Sequence, residues 1–270
     1  MKIDSLCCRR SYYEGAGGFS LMLGEGTKMN REEAAEKIIA ALDVDTEEEA
    51  YDLVKQIYPP VSFFKVGMRL YAACGPTIIT GLKKMGARVF LDLKFHDIPN
   101  TVASTAEVVT SYGVDMFNLH LSGGSQMIRA AAKAAAGAAR KLEIPSPLVI
   151  GVTVLTSFDE KALREEAGVE KNLEQHVLNL SLLGLENGLN GVVASPREAE
   201  IIRKKCGDDF LIVTPGIRPL WSVPDDQRRV LSPRQAIAAG ASYLVIGRPI
   251  IRHQSPREAV EKILAELTVS

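Results

Sequence analysis

The sequence predicts an α/β fold, a single eight-stranded (β/α)8 barrel preceded by an irregular N-terminal extension. Two observations support this prediction. The chain has 270 residues, of which 46% are hydrophobic, so it can bury one large core. From residue 37 onward, short apolar or β-branched segments alternate with amphipathic or alanine-rich helical segments, which is typical of successive βα units.

Residues 1–28 show neither helical nor strand periodicity, so we expect an irregular extension. Asn30 is a good helix N-cap, and the barrel domain, residues 29–270, is expected to begin there. We expect translation to start at Met29, because Gly24-Glu25-Gly26 just upstream could be encoded by a ribosome-binding sequence read in frame. The other interpretation is a flexible tail with a role of its own.

Eight segments have the length and composition of buried strands, and helical segments separate them, so a crossover leads from each strand to the next. Eight such units in one domain are typical of a TIM barrel. The predicted helices include Thr46–Ile57, Pro76–Met85 and Gln126–Leu142. The predicted strands are Ile38–Asp43, Ser62–Gly67, Ala87–Lys94, Met116–His120, Leu148–Leu155, Gly191–Ala194, Phe210–Thr214 and Tyr243–Ile246.

The composition argues against several classes of partner. The net charge is −1, from 32 basic and 33 acidic residues, so a general nucleic-acid-binding surface is not expected. No apolar run approaches the ~20 residues that span a bilayer, which argues against a membrane protein. The four cysteines have neither metal-binding spacing nor the density of a disulfide framework. These features predict a cytoplasmic protein.

The third predicted strand carries ionisable residues where a core strand is normally apolar. Asp92 and Lys94 are two positions apart, so both should point to the same face of the strand. Asp97 follows at the C-terminal end, where α/β barrels place their chemistry. The structural alternative is a buried ion pair that only holds the fold, but such pairs are weak stabilisers.

Other strand ends carry further candidates. Asp43 at the end of the first strand could cap a helix or contact a sugar hydroxyl. Lys65, in the second strand, could be structural or could reach the same cavity as Asp92. His120 at the end of the fourth strand is either an acid/base or a packing residue. The hydroxyl of Thr156, after the fifth strand, could hydrogen-bond a polar heterocycle.

The last two units predict a phosphate site, which in these barrels is commonly formed by the loops after strands seven and eight. Arg218 and Arg248 supply planar forks of donors, and Gly247 allows close approach of the backbone. Residues 219–230 have no sustained apolar pattern, so a mobile lid over a phosphate is expected. The alternative is a surface loop with incidental arginines.

Four segments resemble, in order, those of the orotidine 5'-phosphate decarboxylases, and the resemblance covers roughly residues 37 to 268. It implies cofactor-free and metal-free conversion of orotidine 5'-phosphate to uridine 5'-phosphate in pyrimidine biosynthesis. Lys94 would stabilise and protonate the carbanion at C6. The segments are Leu42-Asp43, Phe64-Lys65-Val66-Gly67, the pattern Asp92-x-Lys94-x-x-Asp97 followed by Ile98-Pro99-Asn100-Thr101, and Thr214-Pro215-Gly216-Ile217-Arg218 with Gly247-Arg248.

The resemblance also implies a role for each site residue. Lys65, Asp92, Lys94 and Asp97 would form a charged tetrad, with Asp97 and Thr101 reaching into the neighbouring site of a homodimer. Asp43 would contact the ribose and Thr156 the pyrimidine. The phosphate contacts would be Arg218, Gln227, Gly247 and Arg248.

Two rival interpretations remain. The 3-hexulose-6-phosphate synthases and keto-gulonate-phosphate decarboxylases resemble this chain around Asp-x-Lys and the phosphate site, but they use Mg²⁺ and have a carboxylate where this chain has Lys65. An ammonium group there would repel the metal. The other rival is a catalytically dead barrel that only binds nucleotides or a partner protein, which would gain nothing from costly buried charges.

Overall fold

The computed structural model describes residues 29–222 and 231–268. Within them, eight parallel strands form a closed barrel in sequence order, and the last strand pairs with the first. The predicted α/β barrel is therefore confirmed, whereas the predicted extension, residues 1–28, lies outside the described residues. The strands are β1 Ile38–Ala41, β2 Phe63–Gly67, β3 Arg88–Phe95, β4 Met116–His120, β5 Leu148–Val152, β6 Gly191–Val193, β7 Leu211–Thr214 and β8 Tyr243–Ile246.

Helices connect the strands. The predicted N-cap Asn30 is confirmed, because its side chain accepts from the Glu33 N–H in a reciprocal capping box. No described helix is long and apolar enough to cross a membrane. The helices are α1 Arg31–Glu36, α2 Glu47–Ile57, α3 Met68–Cys74, α4 Thr77–Lys84, α5 Pro99–Ser111, α6 Gly124–Leu142, α7 Glu160–Glu165, α8 Leu173–Glu186, α9 Ala199–Cys206, α10 Pro233–Ala238, α11 Arg248–Ile251 and α12 Pro256–Thr268.

Strand ends differ from the predicted ones where a neighbouring strand stops. β5 was predicted to reach Leu155 but ends at Val152, which pairs with Val193, the last residue of β6. Beyond that pair, β5 has no strand residue on β6 to pair with. β4 and β8 have the predicted bounds.

The core has two layers. A large outer cluster lies between the strands and the helices, and a smaller cluster fills the barrel interior. Because strand side chains alternate, residues two positions further along continue the inward face. In β2, β3 and β4 these next inward residues are polar: Lys65, Asp92 and Asn118. The inner apolar cluster consists of Ile39, Phe63, Phe90, Met116, Ile150 and Val213.

Arg203 from α9 ties together the loops at the N-terminal end of the barrel. Its Nη1 donates to three carbonyls just before β7, and its Nη2 donates to two oxygens just before β8. Burial lowers the pKa of Arg203, an effect that nearby acidic groups partly oppose. The acceptors are the carbonyls of Gly207 (2.7 Å), Asp208 (2.9 Å), Phe210 (2.8 Å) and Gly240 (2.9 Å), and Ser242 Oγ (3.0 Å).

Two further charged groups close the same end. The Asp115 carboxylate, just before β4, accepts from Lys83 Nζ at 2.7 Å and from the Val89 N–H at 2.7 Å. Arg88 lies 4.3 Å from the centre of the Phe63 ring, which plugs the interior. The charges at this end are therefore satisfied by fixed groups of the protein itself.

Candidate active site

Four side chains from the first three βα units form a row of alternating charges at the C-terminal end of the barrel, which we call the charge chain. Lys65 Nζ lies 3.1 Å from Asp43 Oδ1 and 3.4 Å from Asp92 Oδ2. Asp92 Oδ1 in turn accepts from Lys94 Nζ at 2.6 Å. Lys65 is only 8% exposed, so neighbouring carboxylates must compensate its charge. The structure thus brings together the predicted Asp43, Lys65, Asp92 and Lys94.

The backbone of β3 is irregular at this point. Lys94 has a positive φ of 54°, and the pairing of β3 with β4 shifts register between Leu91 and Phe95. For a residue with a side chain this conformation costs about 1–2 kcal/mol, so the surroundings must enforce it. The Lys94 N–H donates to Asn118 Oδ1 at 2.8 Å, which helps to hold the strand in this shape.

Asn118 contacts the charge chain, and the sequence prediction missed it. It is fully buried in the middle of β4, and its Nδ2 donates to Asp92 Oδ1 at 2.7 Å. One side chain therefore fixes both the Asp92 carboxylate and the Lys94 backbone. An amide inside an otherwise apolar strand was the available signal, because buried polar groups need partners.

The Asp92 carboxylate is held in its ionised form. Burial alone would raise its pKa, but the ammonium groups of Lys65 and Lys94, with hydrogen bonds from Lys94 and Asn118, outweigh burial and lower the pKa. Asp92 is therefore negative at neutral pH and can keep Lys94 positioned as a cation.

A pocket of about 160 Å³ adjoins the charge chain. Gly216 adopts a positive φ of 77° in its wall. A Cβ added at Gly247 would lie 3.2 Å from Asp43 Oδ2, so glycine keeps this side of the pocket open. The pocket brings together the predicted Arg218, Gly247 and Arg248. Its lining is Ala41, Asp43, Lys65, Pro215, Gly216, Ile217, Arg218, Val245, Gly247 and Arg248.

The loop that carries Arg218 leaves and rejoins the barrel at one point, which we call the loop neck. Ile217 and Leu231 form an isolated bridge, and the Arg218 N–H donates to the Leu231 carbonyl at 3.0 Å. Most of the predicted lid, residues 219–230, lies outside the described residues, and so does the predicted phosphate contact Gln227.

Three predicted site residues lie apart from the charge chain. Asp97 is exposed and accepts from the Ile98 N–H at 2.7 Å. Thr101 is exposed on the first turn of α5, and Thr156 is half-buried in the turn after β5. In the described part of the chain, no hydrogen bond or ion pair joins these three to the charge chain. Their roles remain predictions.

His120 is half-buried at the end of β4, with its ring centre 5.4 Å from that of His96. Burial lowers the pKa of His120, the charges of His96 and Lys94 lower it further, and Asp92 partly opposes them. The imidazole is therefore neutral at pH 7. This geometry favours the packing interpretation over the acid/base one.

The donor set at the site does not resemble a metal centre. Across residues 29–222 and 231–268, no group of three His, Cys, Asp or Glu side chains is placed to hold a metal ion. The position between the Asp43 and Asp92 carboxylates is filled by the Lys65 ammonium group.

Comparisons with known proteins show the family of the chain. A family model described as orotidine 5'-phosphate decarboxylase / HUMPS family matches residues 36–263. Orotidine 5'-phosphate decarboxylase of Syntrophomonas wolfei is 49% identical over 236 residues, which cover 87% of this chain and 99% of the relative. The corresponding protein of Moorella thermoacetica is 50% identical over 240 residues, covering 89% and 95%.

A solved structure is similar as well. The crystal structure of orotidine 5'-phosphate decarboxylase from Lactobacillus acidophilus superposes with a TM-score of 0.76 and 35% identity, covering 87% of this chain and 100% of that one. The family match covers most of the barrel, and the relatives align over almost their whole length. The chain therefore belongs to the orotidine 5'-phosphate decarboxylase / HUMPS family.

Proposed function

We propose that this protein removes the carboxyl group of orotidine 5'-phosphate to give uridine 5'-phosphate, a step of pyrimidine biosynthesis. The observation that carries the proposal is the charge chain, which holds Lys94 Nζ 2.6 Å from Asp92 at the end of the barrel where an arginine-lined pocket opens. The family match and the names of the relatives support the same reaction.

The chemistry requires a fixed positive charge. Loss of carbon dioxide leaves the bonding electron pair on C6 of the pyrimidine, where no adjacent carbonyl can delocalise it. A preorganised ammonium group stabilises such a localised charge without having to reorganise during the reaction. Lys94 fills this role, then donates a proton to C6, and its neutral amine regains a proton from solvent. No cofactor takes part.

The neighbours of Lys94 keep its ammonium group oriented. Asp92 accepts from Lys94 Nζ and is itself paired with Lys65. Asn118 donates to the same Asp92 Oδ1 that Lys94 contacts, and its own Oδ1 accepts from the Lys94 N–H. With the carboxylate held by three donors, the ammonium group has a fixed position before the substrate arrives.

The pocket orients the remainder of the substrate. Arg218 and Arg248 line this pocket, and their guanidinium groups are the proposed phosphate contacts, together with the backbone at Gly247. Asp43, which faces both Lys65 and this pocket, is the proposed ribose contact. Thr156 is the proposed pyrimidine contact, and Gln227 a further phosphate contact.

A homodimer is expected to complete the site. Asp97 and Thr101 are exposed, and Ile98 between them is 67% exposed. An exposed apolar side chain flanked by polar groups is a feature of protein interfaces. Asp97 and Thr101 would then reach the site of a second copy, where Asp97 becomes the last member of the charged tetrad.

The Mg²⁺-dependent sugar-phosphate enzymes are the rival within the same family description. A divalent cation would need the space between Asp43 and Asp92, and Lys65 fills it with its own positive charge. The catalytically dead barrel is disfavoured because the buried charges are intact and mutually oriented.

The proposed compartment is the cytoplasm. Cys74 and Cys206 are the two cysteines within the described residues, and both are free. Unpaired cysteines of this kind are typical of proteins that remain in a reducing compartment.

The proposal is tested by following the ultraviolet absorbance of orotidine 5'-phosphate with purified protein in excess EDTA, and again with Mg²⁺. Rapid conversion to uridine 5'-phosphate under both conditions is expected. Activity on a sugar phosphate with Mg²⁺, and none on orotidine 5'-phosphate, would favour the rival enzymes. Binding without turnover of either substrate would favour the dead barrel.

A further inference from the structure

Glu266 on α12 is not among the predicted site residues, yet it interacts with both sides of the loop neck. Its Oε2 accepts from the Leu220 N–H at 3.4 Å, on the outgoing side of the neck. On the returning side, the side chain of Ser232 lowers the pKa of the same carboxylate. One side chain therefore links the start and the end of the Arg218 loop to the C-terminal helix.

Stability alone does not explain this carboxylate. Its Oε1 is buried and has no hydrogen-bond partner among the described residues. Burial raises the pKa of Glu266, and the hydrogen bonds from Leu220 and Ser232 only partly oppose this, so the fold penalises the ionised form. A half-satisfied buried carboxylate in a native structure needs another reason for its presence.

The rest of the neck leads from Glu266 to the pocket. Leu220 is two residues after Arg218, whose N–H donates to the Leu231 carbonyl, and Leu231 precedes Ser232. Trp221 follows Leu220 and packs edge-on against His253, with ring centres 5.5 Å apart. The segment that enters the loop is therefore held at Leu220 by Glu266 and at Trp221 by His253.

We propose that Glu266 is a positioning residue that fixes the loop neck and thereby holds Arg218 where it binds the phosphate group of the substrate. The inference rests on the proposed function, because it assigns Arg218 a phosphate contact. It predicts that Glu266 affects the binding of the phosphate-bearing substrate and leaves the reaction at C6 unchanged.

The chain offers a direct reporter, because its single tryptophan is Trp221. Glu266→Ala should make Trp221 more accessible to acrylamide, with the quenching constant rising roughly twofold as the neck loosens. The same variant should raise KM for orotidine 5'-phosphate on the order of tenfold, with kcat at saturation nearly unchanged. Glu266→Gln retains an acceptor oxygen for the Leu220 N–H and should restore most of both properties.

Glu261→Ala is the matched control, because Glu261 lies on the same helix but binds Arg31 and Arg257 rather than the loop. It should cost stability without changing KM or the quenching of Trp221. An unchanged KM in folded Glu266→Ala would overturn the inference. If the unsubstituted protein fails to turn over orotidine 5'-phosphate, the proposed function fails. In that case acrylamide quenching alone tests whether Glu266 fixes the loop neck. An unchanged quenching constant of Trp221 in Glu266→Ala would overturn this part of the inference.

Discussion

The two ends of the barrel use charged side chains in opposite ways. At the N-terminal end, Arg203 donates to four carbonyls and a hydroxyl, and Asp115 accepts from an ammonium group and a backbone N–H. At the C-terminal end, Asp43, Lys65, Asp92 and Lys94 satisfy mainly one another and border a pocket.

The two ends differ in the groups to which their charged side chains are bound. A charged side chain that donates to backbone carbonyls holds loops together. Its removal leaves buried carbonyls without a donor, which lowers the stability of the fold. When charged side chains pair with one another, the removal of one leaves fewer backbone groups without a hydrogen-bond partner. Such charges also set the electrostatic potential in the adjoining pocket. We therefore expect substitutions at the two ends to separate stability from activity.

Lys94→Ala should have the largest effect. Loss of both the fixed cation and the proton donor should lower kcat by at least about 10⁴-fold. The free energy of unfolding should stay within about 1 kcal/mol, because Lys65 remains to neutralise Asp92. Steady-state kinetics, urea unfolding and the dissociation constant of uridine 5'-phosphate measure these quantities. Full activity would remove Lys94 from its role.

Lys83→Ala provides the control from the other end, because Lys83 also pairs with a single carboxylate, Asp115. It should lower stability and leave kcat unchanged. A loss of activity as large as that of Lys94→Ala would contradict the distinction between the two ends.

Arg203→Met should have the next largest effect, this time on stability. Removing the guanidinium group leaves several carbonyls without their donor, so the free energy of unfolding should fall by about 2–3 kcal/mol. kcat and KM should not change at a temperature where the variant is folded. Lys204→Met, at the exposed neighbour, should change stability by less than about 0.5 kcal/mol. Equal losses in the two variants would refute a special role for Arg203.

Asn118→Ala tests a residue that we expect to contribute to both stability and activity. Loss of its hydrogen bonds to Asp92 and to the Lys94 N–H should reduce kcat by roughly 10- to 100-fold and stability by about 1–3 kcal/mol. Ser181→Ala removes another buried hydrogen-bonding side chain, far from the charge chain in α8, and should affect stability alone. If both variants retain full kcat, Asn118 is only a core residue.

The smallest effect concerns acid stability. The folded-state pKa of Asp92 is lowered, so its contribution to stability is fully present above the unfolded pKa and is lost as the pH falls through the folded pKa. Unfolding experiments at decreasing pH should therefore show the stability gap between the unsubstituted protein and Asp92→Asn closing below about pH 4. A gap that widens on acidification would contradict the ionised assignment.

The fold could be predicted because the hydrophobic pattern that determines it is visible within short stretches of the sequence. Apolar runs of strand length recur between helical segments, and this pattern alone indicates eight βα units. The exact end of β5 could not be predicted, because it depends on where β6 stops. Likewise, the sequence left Asp43 open as a helix cap or a site residue, and the structure shows Thr46 as the cap of α2.

The site could be predicted only in part. Lys65, Asp92 and Lys94 were identifiable because charged residues in core strands are rare and strand ends converge on one edge. The positive φ of Lys94 and the double role of Asn118 depend on the register between β3 and β4, which one strand's sequence does not specify. The role of Asp97 depends on a second chain and stays a prediction.

The loop neck has an evolutionary consequence. The chain leaves the barrel wall beside Ile217 and rejoins it beside Leu231, and these two residues are bridged to each other. The chain between these two residues is therefore joined to the barrel at two fixed points. Doubling the length of a loop with fixed ends costs only about 0.6 kcal/mol in closure entropy. Lineages can therefore lengthen, shorten or exchange this segment, and graft a different specificity onto the barrel, without changing the register of β7 and β8.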